Sequence, residues 1–353
     1  MKILHTADIH LKEYNDERWK TLQQLIEIGK KEKIDIFVVS GDLFDKDIQA
    51  ENLRPKIREI FTNTGFKIVI IPGNHDADSY KSGMYFGEDA VIMTDLSSPF
   101  EYKNIRVWGI PFEPLETEKI LIKLHLLKDR LTSDKENILL YHGELLDAFF
   151  SRTDFGDEGE GRYMPVKLSY FKDLNLSYVL SGHFHSRFDV WEIESGKYFI
   201  YPGSPISITK RETGQRKVNI FEVGKPPKEY LISSPYFENV DILFDPFKDK
   251  NPLEIVKERF DSLMPEARAI LRIKGCINSE AIGMNEIELK EKIKEIVKDR
   301  CVEDYYEFQD VNNIIEDDLF KSFMYKLENA GYGEKKKKEM YDAAIRTMIE
   351  ARL

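Results

Sequence analysis

The sequence predicts an α/β fold of packed sheets with helices outside, and three features predict it. Apolar, β-branched segments of strand length recur up to about residue 223, helical patterns stand between several of them, and most of the segments end in Gly, Pro, Asn or Asp. In order, KILHTAD, IDIFVVSGD and KIVIIPGNHD read as strands, because their apolar residues run almost unbroken as in strands buried on both faces. NIRVWGIP, NILLYHGE, LSYVLSGHFH, KYFIYPGS and KVNIFEV follow with the same composition. Helical spacing is clearest over residues 17–33, 53–62 and 116–131.

From about Pro235 the order changes to strand (FENVDILF), helix (PLEIVKERFDSLM), strand (ARAILRIKG), helix (EIELKEKIKEIVKDR) and strand (VEDYYEF). That is the pattern of a separate small α/β domain. An acidic stretch follows, then two helical patterns broken at Gly331, Tyr332 and Gly333. The expected organisation is a large domain over residues 1–234, a small α/β domain over 235–310, an acidic linker at 311–318 and a helix-loop-helix tail over 319–353. In the tail Leu319, Phe320, Phe323, Met324 and Leu327, and then Met340, Tyr341, Ala344, Ile345, Met348 and Ile349, recur at helical spacing. Each helix therefore has an apolar stripe to bury, against the other helix, against the small domain or against a partner.

A chain of 353 residues with 42% hydrophobic and 33% charged content is globular in composition, which excludes the disordered classes. It begins directly on a strand pattern without a signal peptide, and no apolar run approaches the roughly 20 residues that span a bilayer. A cytoplasmic location without membrane contact is expected. Cys276 and Cys301 are too few for a disulfide framework or a thiolate metal site and read as reduced. The formal net charge of −11 argues against a protein that coats nucleic acid with its own basic surface. It leaves room for an enzyme that meets phosphate through bound metals.

The strand ends carry the chemistry. Asp8 and His10 follow the first strand, Asp42 the second, Asn74 and His75 the third, His142 follows NILLY, and His183 and His185 follow YVLS. In α/β sheets the carboxyl ends of parallel strands share one edge, where ligands bind. Two carboxylates, one amide oxygen and several imidazoles, with no thiolate, suit Mn²⁺, Fe²⁺ or Zn²⁺ better than Ca²⁺ or Mg²⁺. So many donors exceed one tetrahedral site and fit two sites that share a carboxylate. Two such ions bring four positive charges against two from Asp8 and Asp42, so a phosphate would be drawn in.

The ordered blocks Asp8-Ile9-His10, Gly41-Asp42, Gly73-Asn74-His75-Asp76, His142 and Gly182-His183-Phe184-His185 resemble the signature of calcineurin-like metallophosphoesterases. The resemblance implies a four-layer αββα sandwich. It also implies that Asp8, His10 and His185 hold one metal, that Asn74, His142 and His183 hold the second, and that Asp42 bridges them. Two divalent ions, Mn²⁺ first among them, are the cofactors so implied. His75 matches the catalytic histidine beside the phosphate, with Asp76 orienting its ring, and the reaction implied is attack on a phosphate ester by a hydroxide held between the metals.

Within that family the GDLFDKD and GNHD blocks depart from the GDxxDRG and GNHE of the Ser/Thr protein phosphatases. Small cyclic-nucleotide phosphodiesterases lack a second domain and a helical tail. HTADIHL, GDLFD, the YPGSPI that follows GHFH, the small domain and the tail together resemble DNA-repair nucleases of the SbcD and meiotic-recombination-eleven family. That resemblance implies exonuclease and endonuclease action in double-strand-break repair, a small domain that caps the nuclease domain, a homodimer, and a coiled-coil ATPase partner of the SbcC (Rad-fifty-like) type bound through the C-terminal helices. Two positions depart from that pattern: HLK stands in place of HLG, and Asp45 in place of a histidine that bears on exonuclease geometry. A phosphodiesterase for nucleotides or other small esters is the alternative enzyme, and an inactive metal-bound adaptor the alternative from another class.

The remaining features read as structural or have two readings. His5, within the first strand, and His125, within a helix, read as structural. Residues 151–164 form a Gly-rich acidic loop that reads as a solvated connection, with a lid over the substrate as the alternative. Lys210, Arg211, Arg216 and Lys217 are either a charged hairpin or contacts to a DNA backbone.

Overall fold

The computed structural model describes residues 1–46, 50–80, 84–148, 163–246, 251–312 and 318–352. Two compact units make up the chain, Met1–Phe237 and Glu238–Leu353. In the first, β1 (Lys2–Thr6), β2 (Ile36–Ser40), β3 (Lys67–Ile71) and β4 (Ala90–Ile92) run parallel. The antiparallel strands β11 (Lys217–Glu222) and β12 (Glu229–Leu231) complete a six-stranded sheet of order β12-β11-β1-β2-β3-β4. The second sheet has the order β5-β6-β7-β8-β10-β9, from β5 (Phe100–Tyr102), β6 (Ile105–Ile110), β7 (Glu136–His142), β8 (Tyr178–Gly182), β9 (Asp189–Glu194) and β10 (Lys197–Tyr201). Its four central strands are parallel.

Period-2 alternation decides where each apolar residue goes, because successive side chains of a strand point to opposite faces. Ile3, Ile36, Val38, Val69 and Ile71 of the first sheet meet Ile105, Val107, Ile138, Leu140 and Leu180 of the second in one cluster between the sheets. Their neighbours Leu4, Phe37, Val39, Ile68 and Ile70 face the other way, onto Trp19, Leu22 and Leu25 of α1 (Glu17–Glu32) and Leu53 and Ile57 of α2 (Ala50–Ile60). On the far side Leu139, Tyr141 and Val179 pack with Ile120, Leu124 and Leu127 of α3 (Thr117–Lys128). Both faces of the central strands are thus buried, which is why their sequences read as unbroken apolar runs. Ser40 Oγ donates to the carbonyl of Leu180 at 2.8 Å and ties the sheets together beside the carboxyl edge.

In the second unit β13 (Tyr236–Phe244, continuous with the first unit), β14 (Ala267–Ile277) and β15 (Cys301–Asp310) form a three-stranded sheet in that order, with β14 and β15 parallel. α4 (Pro252–Asp261) and α6 (Glu286–Val297) bury Val256, Phe260, Leu289 and Ile293 against it, and the short α5 (Ser279–Ile282) precedes α6. α7 (Asp318–Glu328) and α8 (Glu334–Arg352) direct their apolar stripes inward. Phe320 and Ile345 are buried with Cys276 and Val311, and Phe323, Met324, Tyr341, Ala344 and Met348 pack around them. Leu319 stays outside that cluster, 72% exposed, and the Ile349 side chain lies outside the described residues, as does most of the acidic linker. Both cysteines are free, and no helix among the described residues is long and apolar enough to cross a membrane.

Candidate metal centre

The expected ligands come together at the carboxyl edge of both sheets. β1, β2 and β3 deliver Asp8, His10, Asp42, Asn74 and His75, while β7 and β8 deliver His142, His183 and His185. All but Asn74 and His75 are buried. Ligand atoms of Asp8, His10 and His185 lie within 4.8 Å of one another, and so do those of Asp8, Asp42 and His142. Asn74 Oδ1 sits 2.8 Å from His142 Nε2 and 3.1 Å from His183 Nδ1. Asp42 Oδ2 stands between the groups, 3.3 Å from His142 Nε2 and 3.8 Å from His10 Nε2. The backbone at these positions is unusual: Asp8, His10, Asp42 and His183 all have positive φ, of 55°, 52°, 52° and 90°. Such conformations cost energy in L-residues and collect at functional sites, where the surroundings hold them in place.

What stands behind each imidazole decides which nitrogen faces inward. The carbonyl of Ser40 accepts from His142 Nδ1 at 2.8 Å, which turns Nε2 toward Asn74 and Asp42. Likewise Glu212 Oε1 lies 3.4 Å from His185 Nδ1, and Nε2 faces Asp8. His10 Nε2 and His185 Nε2 then meet at 3.3 Å, and the buried Asp42 Oδ2 accepts no well-aligned hydrogen bond among the described residues. Converging ring nitrogens whose outer N–H groups are held by oxygen acceptors, and a buried carboxylate oxygen with no well-aligned donor, are what divalent cations require. The residues present therefore fit a pair of metals.

The electrostatics agree. Burial alone would raise the Asp42 carboxyl, yet His142, His10 and His75 hold it well below the ordinary carboxylate range. Burial opposes a charge on His142, but Asp42 overrides it and lifts the imidazole to about 9. His185 reaches about 9 in the same way, through Asp8 and Glu212.

A profile of the calcineurin-like phosphoesterase family matches residues 1–187, more than half of the chain. This chain belongs to that family. Two relatives of this phosphoesterase are the DNA double-strand break repair protein Mre11 of Saccharolobus solfataricus and the SbcD component of the SbcCD nuclease of Staphylococcus saprophyticus. The first is 27% identical over 233 residues, 60% of this chain, and the match spans 56% of that protein's length. The second is 23% identical over 303 residues, 75% of this chain and 74% of that protein. The phosphoesterase thus has distant Mre11 and SbcD homologues over most of its length. Among solved structures, TT1561 of Thermus thermophilus aligns at 14% identity with a TM-score of 0.41, over 62% of this chain and 92% of that one.

Around the ligands of the phosphoesterase, three arrangements differ from the sequence reading. Asp76, expected to orient the His75 ring, has both carboxylate oxygens engaged elsewhere: Oδ1 accepts from Gly73 N at 2.7 Å, and Oδ2 from Tyr80 Oη at 2.8 Å and Phe44 N at 3.2 Å. It braces the turn. Asp45 is the carboxylate beside the rings, with Oδ1 3.8 Å from His75 Nδ1 and 3.7 Å from His10 Nδ1. The third is Arg216, read with Lys210, Arg211 and Lys217 as a charged hairpin or a DNA-backbone contact but 3% exposed. It donates to the carbonyls of His185, Ser186 and Ser204 and so locks the loop that carries His185.

Glu212 was invisible to sequence reasoning. It is fully buried, and its oxygens accept from Ser204 Oγ, Ile208 N, Thr209 N and Thr209 Oγ1 at 2.8–3.2 Å. The signal that could have found it is an acidic residue inside a Gly/Pro/Ser turn that follows the last ligand block. His5 is buried within β1 and His125 is exposed on α3, both away from the ligand clusters. Residues 149–162, and with them most of the acidic loop, lie outside the described residues.

Proposed function

We propose that this calcineurin-like phosphoesterase is a two-metal DNA nuclease, with Mn²⁺ as the working ion. What supports the reading best is one buried carboxylate, Asp42, whose Oδ2 lies 3.3 Å from His142 Nε2 and 3.8 Å from His10 Nε2, in a chain whose relatives are named as a DNA-break repair protein and a nuclease component. Asp8, His10 and His185 would hold one ion and Asn74, His142 and His183 the other, with Asp42 shared. When bound, the ions supply an activated water and offset the charge that gathers on the phosphoryl oxygens. The chain supplies the rest. His75 is 20% exposed at the edge of the clusters, where it can give a proton to the departing oxygen, and its backbone N–H is anchored on Asp42 Oδ1 at 2.9 Å.

At the domain level the proposal is a four-layer sandwich over residues 1–234, capped by 235–310. A linker at 311–318 leads to a tail at 319–353 that binds the coiled coil of an SbcC-type ATPase, and the protein works as a homodimer. The apolar stripes of the tail are largely used in its own packing, so the docking surface falls to outward residues such as Tyr325, 71% exposed.

The decisive experiment offers linear DNA and a chromogenic aryl phosphodiester, each with Mn²⁺ and with chelator. Metal-dependent cleavage of DNA supports the nuclease reading; hydrolysis of the aryl ester alone would make this a small-ester phosphodiesterase, and no hydrolysis with metals bound would leave an adaptor. In the same assay His75→Asn should keep both metals while losing about 10²- to 10⁴-fold in rate. Loss of metal from that variant would refute the role given to His75.

A further inference from the structure

Lys12 stands at the rim of the metal centre in an arrangement that leaves a positive charge over. Its backbone is pinned by its neighbours: Leu11 N donates to the carbonyl of Leu43 at 2.9 Å, and Asp45 N to that of Leu11 at 3.0 Å. Its ammonium lies 3.0 Å from Asp45 Oδ2, the same oxygen that takes Arg18 Nη1 at 2.7 Å. Arg18 is 16% exposed and also donates to the carbonyl of His10 at 2.5 Å, so it belongs to the scaffold. Lys12 is 51% exposed. One carboxylate thus faces two cations, and the surplus charge is on the one that meets solvent.

That surplus lies beside a pocket suited to divalent ions, in a chain whose net charge is −11. Like charges so close repel, and the cost is relieved when an anion arrives. Lys12 is not among the groups that would hold the reacting phosphoryl. The Asp45 carboxylate and the His10 ring stand between the ammonium and the ligand nitrogen, with Oδ1 3.7 Å from Nδ1. A small ester has no second phosphate to offer, whereas a polynucleotide has one on each neighbouring nucleotide.

We infer that Lys12 binds a second, non-reacting phosphate of a polynucleotide and selects such substrates over small esters; this rests on the nuclease reading above. The two positions where this chain departs from the SbcD pattern, Lys12 and Asp45, are on this view one device, a cation and the carboxylate that aims it.

The test uses the full chain and a labelled single-stranded oligonucleotide, with binding followed by fluorescence anisotropy in chelator over a salt series. Lys12→Met should weaken binding about 3- to 10-fold and reduce the salt slope by about 0.7, the amount expected for one lost phosphate contact, while Lys12→Arg stays near wild type. With Mn²⁺ present, the ratio of kcat/KM for the oligonucleotide to that for the aryl diester should fall in Lys12→Met, through KM. Wild-type affinity and slope in Lys12→Met, from a protein that binds and cleaves the oligonucleotide, would overturn this inference alone and make the pair a solvated salt bridge. A wild type that hydrolyses the aryl diester yet has no affinity for the oligonucleotide would overturn the nuclease reading, and this inference with it.

Discussion

Behind His185, Glu212 Oε1 faces Nδ1 at 3.4 Å while its carboxylate is held by the turn at Ser204, Ile208 and Thr209. A carboxylate at that position raises the basicity of the inward nitrogen and fixes its direction, so Glu212→Gln should lower metal affinity by about 10- to 100-fold while the fold survives. Calorimetric titration with Mn²⁺ measures it; unchanged affinity would reduce Glu212 to a turn brace. The pH dependence of loading follows from the same residues. His142 and His185, both lifted to about 9, carry protons in the metal-free protein that an incoming ion must displace. Apparent affinity should therefore rise with pH up to about 9, with protons released, which titrations in buffers of different ionisation enthalpy detect. Metal-free stability has the opposite sign. Against an unfolded value of about 6.5, the raised pKa values stabilise the fold fully below that pH, and the benefit is lost as pH rises through about 9.

Among the elements, the turn after each central strand sets the ligand and the strand behind it sets the turn. Gly41 illustrates the tolerance: its φ is +96°, and a Cβ there would lie 2.0 Å from His142 Nδ1. Gly41→Ala should cost about 1–3 kcal/mol for the backbone conformation, plus whatever the displaced imidazole loses, and should deplete metal. Urea unfolding beside metal analysis checks both; a stable, fully loaded variant would show that the strand ends can shift. The central strands were legible because burial on both faces leaves unbroken apolar runs. β4, β5 and β12 were not, since three residues at a sheet edge carry no period, and β9, a bulged antiparallel edge strand, was passed over. Helix bounds read as 17–33, 53–62 and 116–131 are Glu17–Glu32, Ala50–Ile60 and Thr117–Lys128, because caps and turn contacts, not apolar spacing, stop a helix.

For the whole molecule, the tail helices belong by packing to the second unit. Phe320, 1% exposed, sits between Tyr341 and Phe323, with ring centroids at 5.6 and 6.1 Å. Truncating it removes the largest buried side chain of that cluster, so Phe320→Ala should cost about 3–5 kcal/mol locally and release α7 and α8. Hydrogen exchange would show lost protection over 318–352 with the sheets of the first unit unaffected; retained protection would mean the pair stands without this contact. By itself the sequence determined the α/β class, the central strands, and the types and order along the chain of the candidate ligands. These are properties of period and composition, and each is written within one short segment. Only the tertiary structure decided that Asp45 and not Asp76 stands beside the His75 ring, that Arg216 is a buried brace, and that Glu212 backs His185, 27 residues away. Such pairings arise where separate loops meet in space, and no local pattern encodes which side chain will be waiting there.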